Sequence, residues 1–129
     1  MPIATGPFTV KMTPLPGDTT VDGVGMGGRS LDKVYEGGLQ ATGVGQMLSV
    51  LSPANSGAYV ALERVTGSLG GREGSFALVH RGVMTATSRD LSIIVSPGSG
   101  TGGLAGLEGS VSIEIVDGKH GYSFDYKLA

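Results

Sequence analysis

The chain has 129 residues, of which 16% are charged, with a formal net charge of −2 and no cysteine. That length fits one domain burying roughly two thirds of its unfolded surface. The absence of Lys/Arg runs removes the electrostatic footprint of a nucleic-acid binder, and the lack of Cys excludes disulfides, thiolate nucleophiles and thiolate-held metals.

The longest apolar runs, such as Ile93-Ile94-Val95, are far too short to span a bilayer as a helix. The N-terminal MPIATGPFTV lacks a basic region followed by an apolar stretch, so no membrane association and a cytoplasmic location are expected. The 24 glycines exceed twice an average usage of about 7%. They are spread between apolar residues, and they interrupt nearly every window that could keep a helical period, so helix should be scarce.

Period-two alternation bounded by turn residues predicts eight strands, near residues 5 to 13, 28 to 36, 39 to 51, 58 to 68, 72 to 84, 90 to 97, 107 to 116 and 119 to 128. Between the first two lies the longest loop, TPLPGDTTVDGVGMGG. In the second strand, LDKVYEG places Leu31, Lys33 and Tyr35 on one side and Asp32, Val34 and Glu36 on the other, and either side could face inward.

GAYVALERVTGSLGGREGSFALVHRG forms a hairpin about Gly70-Gly71, pairing Tyr59 with Gly82, Ala61 with His80, Glu63 with Leu78 and Val65 with Phe76. If Phe76 and Leu78 point inward, so do Glu63 and His80. The opposite face carries Val60, Leu62, Ala77 and Val79, an apolar stripe that suits an interface between copies, so a homo-oligomer is expected.

SPGSGTGGLAGLEG contains Gly98, Gly100 and Gly103 at the spacing of a dinucleotide-binding turn, and Asp117 lies about where a ribose-binding acid would be. That fold needs a helix after its glycines. Here Gly103, Gly106 and Gly109 recur every third residue, and the alternating VSIEI begins at Val111. No helix fits, and the segment reads as a glycine-rich connection between antiparallel strands. The last hairpin, VSIEIVDGKHGYSFDY, turns at Asp117-Gly118 and pairs Ile115 with His120, Ile113 with Tyr122 and Val111 with Phe124, defining a buried face.

YVALERVTG, the GSGTGGLAGLEG turn and the closing H-x-Y-x-x-x-Y, with LDKVYEGGLQATGVGQMLS before them, resemble a family of small uncharacterised bacterial proteins with an allene-oxide-cyclase-like barrel. The resemblance covers nearly the whole chain. It implies an all-β, eight-stranded antiparallel up-and-down barrel of the calycin-like kind, and it implies no reaction and no catalytic residues.

In such a closed meander, which leaves no exposed edge, the connections near 14 to 27, 52 to 57, 85 to 89 and 117 to 118 gather at one mouth. The connections near 37 to 38, 70 to 71 and 98 to 106, with both termini, gather at the other. Tyr59, His80 and His120 then converge near the first mouth with Glu63 one inward step deeper, and the 13 to 28 loop stands over them as a lid.

An inward carboxylate is costly unless paired or protonated. Burial is expected to raise the pKa of Glu63 and make it a general acid or base, with His80 as its partner and proton shuttle. The alternative is a buried pair that fixes register. Tyr59, His120, Tyr122 and Tyr126 are candidate ligand contacts, the last three forming an inward aromatic row that could equally be core.

Glu63, His80 and His120 have the ligand types of a two-histidine, one-carboxylate metal site but no ligand spacing, and no Ser sits in a nucleophile turn, so neither a metal nor a cofactor is assigned. Three readings follow. The chain is a cofactor-independent isomerase, cyclase or lyase for a small apolar substrate held in the barrel, a carrier of an apolar molecule, or a filled barrel serving assembly.

Overall fold

The computed structural model describes residues 2–128, and those residues contain ten strands and no helix. In chain order these are β1 (Ile3–Pro14), β2 (Thr19–Val21), β3 (Val24–Tyr35), β4 (Leu39–Leu51), β5 (Gly57–Leu69), β6 (Arg72–Met84), β7 (Arg89–Val95), β8 (Thr101–Gly102), β9 (Glu108–Val116) and β10 (Lys119–Lys127). Eight of them close into an antiparallel barrel in the cyclic order β1, β3, β4, β5, β6, β7, β9, β10. β1 completes the ring because its first half, to Phe8, pairs with β10 and its second half, from Phe8, pairs with β3.

Both expected registers are present. Glu63 lies opposite Leu78 and Ala61 opposite His80 across the β5–β6 turn, where Gly70 and Gly71 take the positive φ that a tight hairpin needs. Ile113 lies opposite Tyr122 across the β9–β10 turn, where Asp117 and Gly118 do the same.

The strands of the β3–β6 wall run to 12 or 13 residues, and β2 pairs only with β3 among the described residues. The segment expected to form a lid therefore extends the wall as a hairpin instead of covering the mouth. Its Asp22-Gly23 turn supplies the reason, because two positive-φ residues direct the chain back alongside itself.

The base of the barrel is packed. Leu39, Val65, Leu69, Phe76 and Phe124 fill it, and the glycine-rich connection closes it from below by inserting Leu104 and Leu107, which are 0% and 2% exposed. The glycines make that insertion possible. A Cβ on Gly100 would collide with the Leu104 carbonyl, and one on Gly74 with the Thr101 carbonyl. The segment with dinucleotide-like spacing is thus a plug whose backbone runs against its neighbours.

The opposite end is open. Met12, Leu91 and Ile115 occupy inward positions of β1, β7 and β9 yet are 51%, 45% and 59% exposed. The β9–β10 register is as expected, but burial of its apolar face stops short of the mouth at Ile115. The reason lies in β7 and β9, which are joined by the single pair Ile94–Ser110 and are unpaired with each other above it. On the outside, Val60 and Leu62 are exposed and Ala77 and Val79 half-buried, so the apolar stripe is uncovered in the single chain.

Candidate functional site

Three strands place four polar side chains inside the wall just above the packed base. Glu63 on β5 is 1% exposed, and its Oε1 accepts hydrogen bonds from Lys33 Nζ at 3.0 Å and is 2.9 Å from His80 Nε2. Tyr35 donates its hydroxyl to Oε2 at 2.5 Å. Lys33 and Tyr35 lie two residues apart on β3, which settles the facing of that strand: Leu31, Lys33 and Tyr35 point inward and are buried.

The residues of β3 reach Glu63 across the intervening β4, and they can do so because β4 presents Gly43 and Gly45 at its inward positions there. A Cβ on Gly43 would strike the Glu63 carboxylate. Lys33 Nζ also lies 5.4 Å from the centre of the Phe8 ring and 5.9 Å from that of Tyr35, so its cation sits against two aromatic faces as well as a carboxylate.

Burial alone would push the Glu63 carboxyl up, as expected from the sequence. In the fold the His80 hydrogen bond, the Lys33 charge and the bonds from Tyr35 and Lys33 together outweigh it, and the group is held below its ordinary value. The expectation of a raised pKa is corrected accordingly: Glu63 is an ionised acceptor, not a proton donor near neutral pH. Its partner Tyr35 is driven the other way, well above the ordinary tyrosine value, by burial first and then by the charge of Glu63 and the hydrogen bond to it.

With Glu63 ionised, His80 Nε2 carries the proton it donates to Oε1, and in the neutral ring Nδ1 keeps its lone pair. Nδ1 makes no hydrogen bond, while every fully buried side-chain nitrogen and oxygen among the described residues has a partner. Nδ1 is therefore not fully buried, although His80 as a whole is only 4% exposed.

The other candidates divide between the two ends. Tyr59 is half-buried at the mouth, its ring lying over Gly82, where a Cβ would meet ring carbons. Burial raises the Tyr59 hydroxyl pKa, and the nearby Arg89 guanidinium partly offsets the rise. His120 is also half-buried on the mouth side, its ring 5.3 Å from that of Phe8.

Tyr122 packs its ring edge-on against that of Tyr35, 5.5 Å between centres, but turns its hydroxyl away from Glu63, and Tyr126 lies at the base. The Tyr122 hydroxyl accepts from the Leu39 amide at 2.8 Å and donates to the Glu36 carbonyl at 2.7 Å, tying β10 to the β3–β4 turn. The hydroxyl of Tyr126 lies beside Gly70 at the base. His120 is not among the polar partners of Glu63, and no group of three potential metal ligands occurs among the described residues. Two grooves of about 600 and 370 Å³ lie on the outer side of the wall around Val34 and Thr42, away from His80.

Comparison with known proteins agrees with this architecture. The model of the family described as "Protein of unknown function (DUF3224)" matches residues 4–126. The chain belongs to the DUF3224 family. The crystal structure of a DUF3224 protein of unknown function from Shewanella oneidensis MR-1 is 44% identical, with a TM-score of 0.96 over 100% of this chain and 98% of that one. No curated protein matches. This DUF3224 chain thus shares its whole barrel with a solved relative.

Proposed function

We propose that the open half of the barrel binds a small, largely apolar molecule and that His80 acts on it through Nδ1 as a hydrogen-bond acceptor or general base. Glu63 is the positioning residue that fixes the tautomer. One observation carries this reading: a buried, ionised carboxylate holds one imidazole nitrogen while the other makes no hydrogen bond and is not fully buried, below an apolar opening. Lys33 and Tyr35 hold Glu63 ionised and fixed, which keeps the proton on Nε2.

The chemistry supported is proton abstraction, as in a cofactor-independent isomerase, cyclase or lyase. The likeness to allene-oxide-cyclase-like, calycin-like barrels belongs to the same reading, since such folds hold small molecules between their walls. The roles run opposite to the sequence expectation. Glu63, with all its neighbours directed at it, orients; His80, with one nitrogen free, reacts.

A reporter of general-base strength tests this without knowledge of the natural substrate. 5-Nitrobenzisoxazole opens when a base removes its C3 proton and the N–O bond breaks, giving a coloured phenolate. We expect a saturable rate above buffer, lost in His80→Ala and reduced by about tenfold or more in Glu63→Gln. Saturable binding of the reporter with no rate above buffer would leave a carrier and remove the base.

A further inference from the structure

Beyond the Glu63 network, inward-facing charge in the open half is positive although the chain as a whole is negative. Arg29 on β3 and Arg89 on β7 occupy inward positions, on opposite sides of the ring, and neither forms an ion pair among the described residues. The β3 side has an acid at hand, since the Asp18 carboxylate fills the space over Gly27, the inward position next to Arg29. On the β7 side no acid pairs with Arg89 among the described residues. Asp90, the neighbour of Arg89, faces outward and is engaged by Arg81 at 3.3 Å.

Arg89 does not stand alone at its corner. The Tyr59 ring lies over Gly82, which pairs with Leu91, two residues from Arg89 on the same face of β7. Below them on the same side is His80, opposite Ile93. Beside them the β7–β9 seam is unzipped above Ile94, so Leu91, Ile113 and Ile115 line a gap with no backbone ladder across it. A cation, a phenol and an apolar slot therefore adjoin one another, with a basic nitrogen deeper in.

We propose that this corner selects apolar carboxylates, the anion held by the Arg89 guanidinium and the Tyr59 hydroxyl and the apolar body lying along Leu91, Ile113 and Ile115. The inference deepens the ligand-binding reading above and rests on it. The polarity is consistent, because a carboxylate would be repelled by the Nδ1 lone pair of His80 and attracted by Arg89, which leaves a neutral, proton-bearing part of the ligand for the histidine.

A matched set of probes separates the two levels of the proposal: 4-phenylbutanoate, 4-phenylbutan-1-ol and 4-phenylbutylamine, titrated calorimetrically into the full chain. The carboxylate should bind about tenfold or more tightly than the alcohol, with the amine weakest. Arg89→Gln should bring carboxylate and alcohol to similar affinity while leaving alcohol binding unchanged. Tyr59→Phe should weaken the carboxylate by a smaller factor, and Arg64→Gln, on the outer face, should alter nothing. Equal binding of all three probes by the unaltered chain would overturn the anion selectivity and leave the cup standing. Binding of none would overturn the cup itself.

Discussion

Along β10, Phe124 and Tyr122 are buried while His120, nearer the mouth, is only half-buried; along β7, Val95 and Ile93 are buried while Leu91 is exposed. The same strands thus build a packed base and an open mouth. At the base the glycine-rich connection supplies Leu104 and Leu107 as a plug, and Tyr122 ties its strand to the β3–β4 turn. At the mouth nothing equivalent crosses the opening among the described residues, and β7 and β9 separate. Stability is concentrated where the barrel is filled, and exposed inward side chains where it is not. The Glu63 network lies on the boundary, directly above the packed base.

The largest effect should come from breaking that boundary. Glu63→Leu leaves the Lys33 cation, the Tyr35 hydroxyl and His80 Nε2 buried without their common acceptor. It should lower unfolding free energy by about 3–5 kcal/mol in denaturant titrations, the usual consequence of orphaning one member of a buried pair. Adding Lys33→Met to it should recover part of the loss, because the orphaned buried charge is removed while the Tyr35 hydroxyl and His80 Nε2 still lack their acceptor. Failure of the second substitution to recover stability would mean that Lys33 is not the group left unsatisfied.

The acid response has a defined sign. The folded pKa of Glu63 lies below its unfolded value, so its contribution is fully present above the unfolded value and is lost as pH falls through the folded one. The unaltered chain should lose that increment on acidification, and the Glu63→Leu, Lys33→Met chain should not.

The second effect should come from the base. Leu104→Ala removes a fully buried side chain from the plug and should destabilise by about 2–5 kcal/mol. The hydrogen-bonded turns around it, including Leu104 N to Thr101 O and Gly103 N to Glu73 O, hold the backbone in place and limit collapse into the cavity. A loss below about 1 kcal/mol would show that the connection can be withdrawn without opening the core.

Much of this division is legible in the sequence, and what is not has a physical reason. Alternation and the two positive-φ hairpin turns give the registers that put Glu63 and His80 inside, since a slip of one residue would turn every apolar side chain outward. The glycine spacing of the plug excludes a helix. Tyr35 and Lys33 are harder, because Leu31 and Val34 offer an apolar residue to each side of β3 and periodicity alone cannot choose. A signal is nevertheless present in TGVGQ: glycines at two successive inward positions of β4 leave a gap over which side chains of β3 and β5 can meet. The direction of the Glu63 pKa shift follows only once those partners are known. The open mouth leaves no local pattern at all, since Ile115 alternates as perfectly as Val111, and its exposure depends on how far β7 and β9 stay paired.

The smallest expected effect is therefore the sharpest test of the comparison. Ile115 is apolar, inward by parity and part of a regular strand, so sequence pattern alone would treat Ile115→Ser as a core lesion of several kcal/mol. The side chain is 59% exposed beside an unpaired seam. Little apolar area is left to lose and the hydroxyl can remain hydrated, so the substitution should change unfolding free energy by no more than about 0.5 kcal/mol. The same change should weaken 4-phenylbutanoate binding several-fold, because the apolar slot loses a wall. A substitution neutral for folding and damaging for binding is what an open mouth requires. A large loss of stability would instead mean that the seam closes over Ile115 in solution and that the two halves of the barrel are one continuous core.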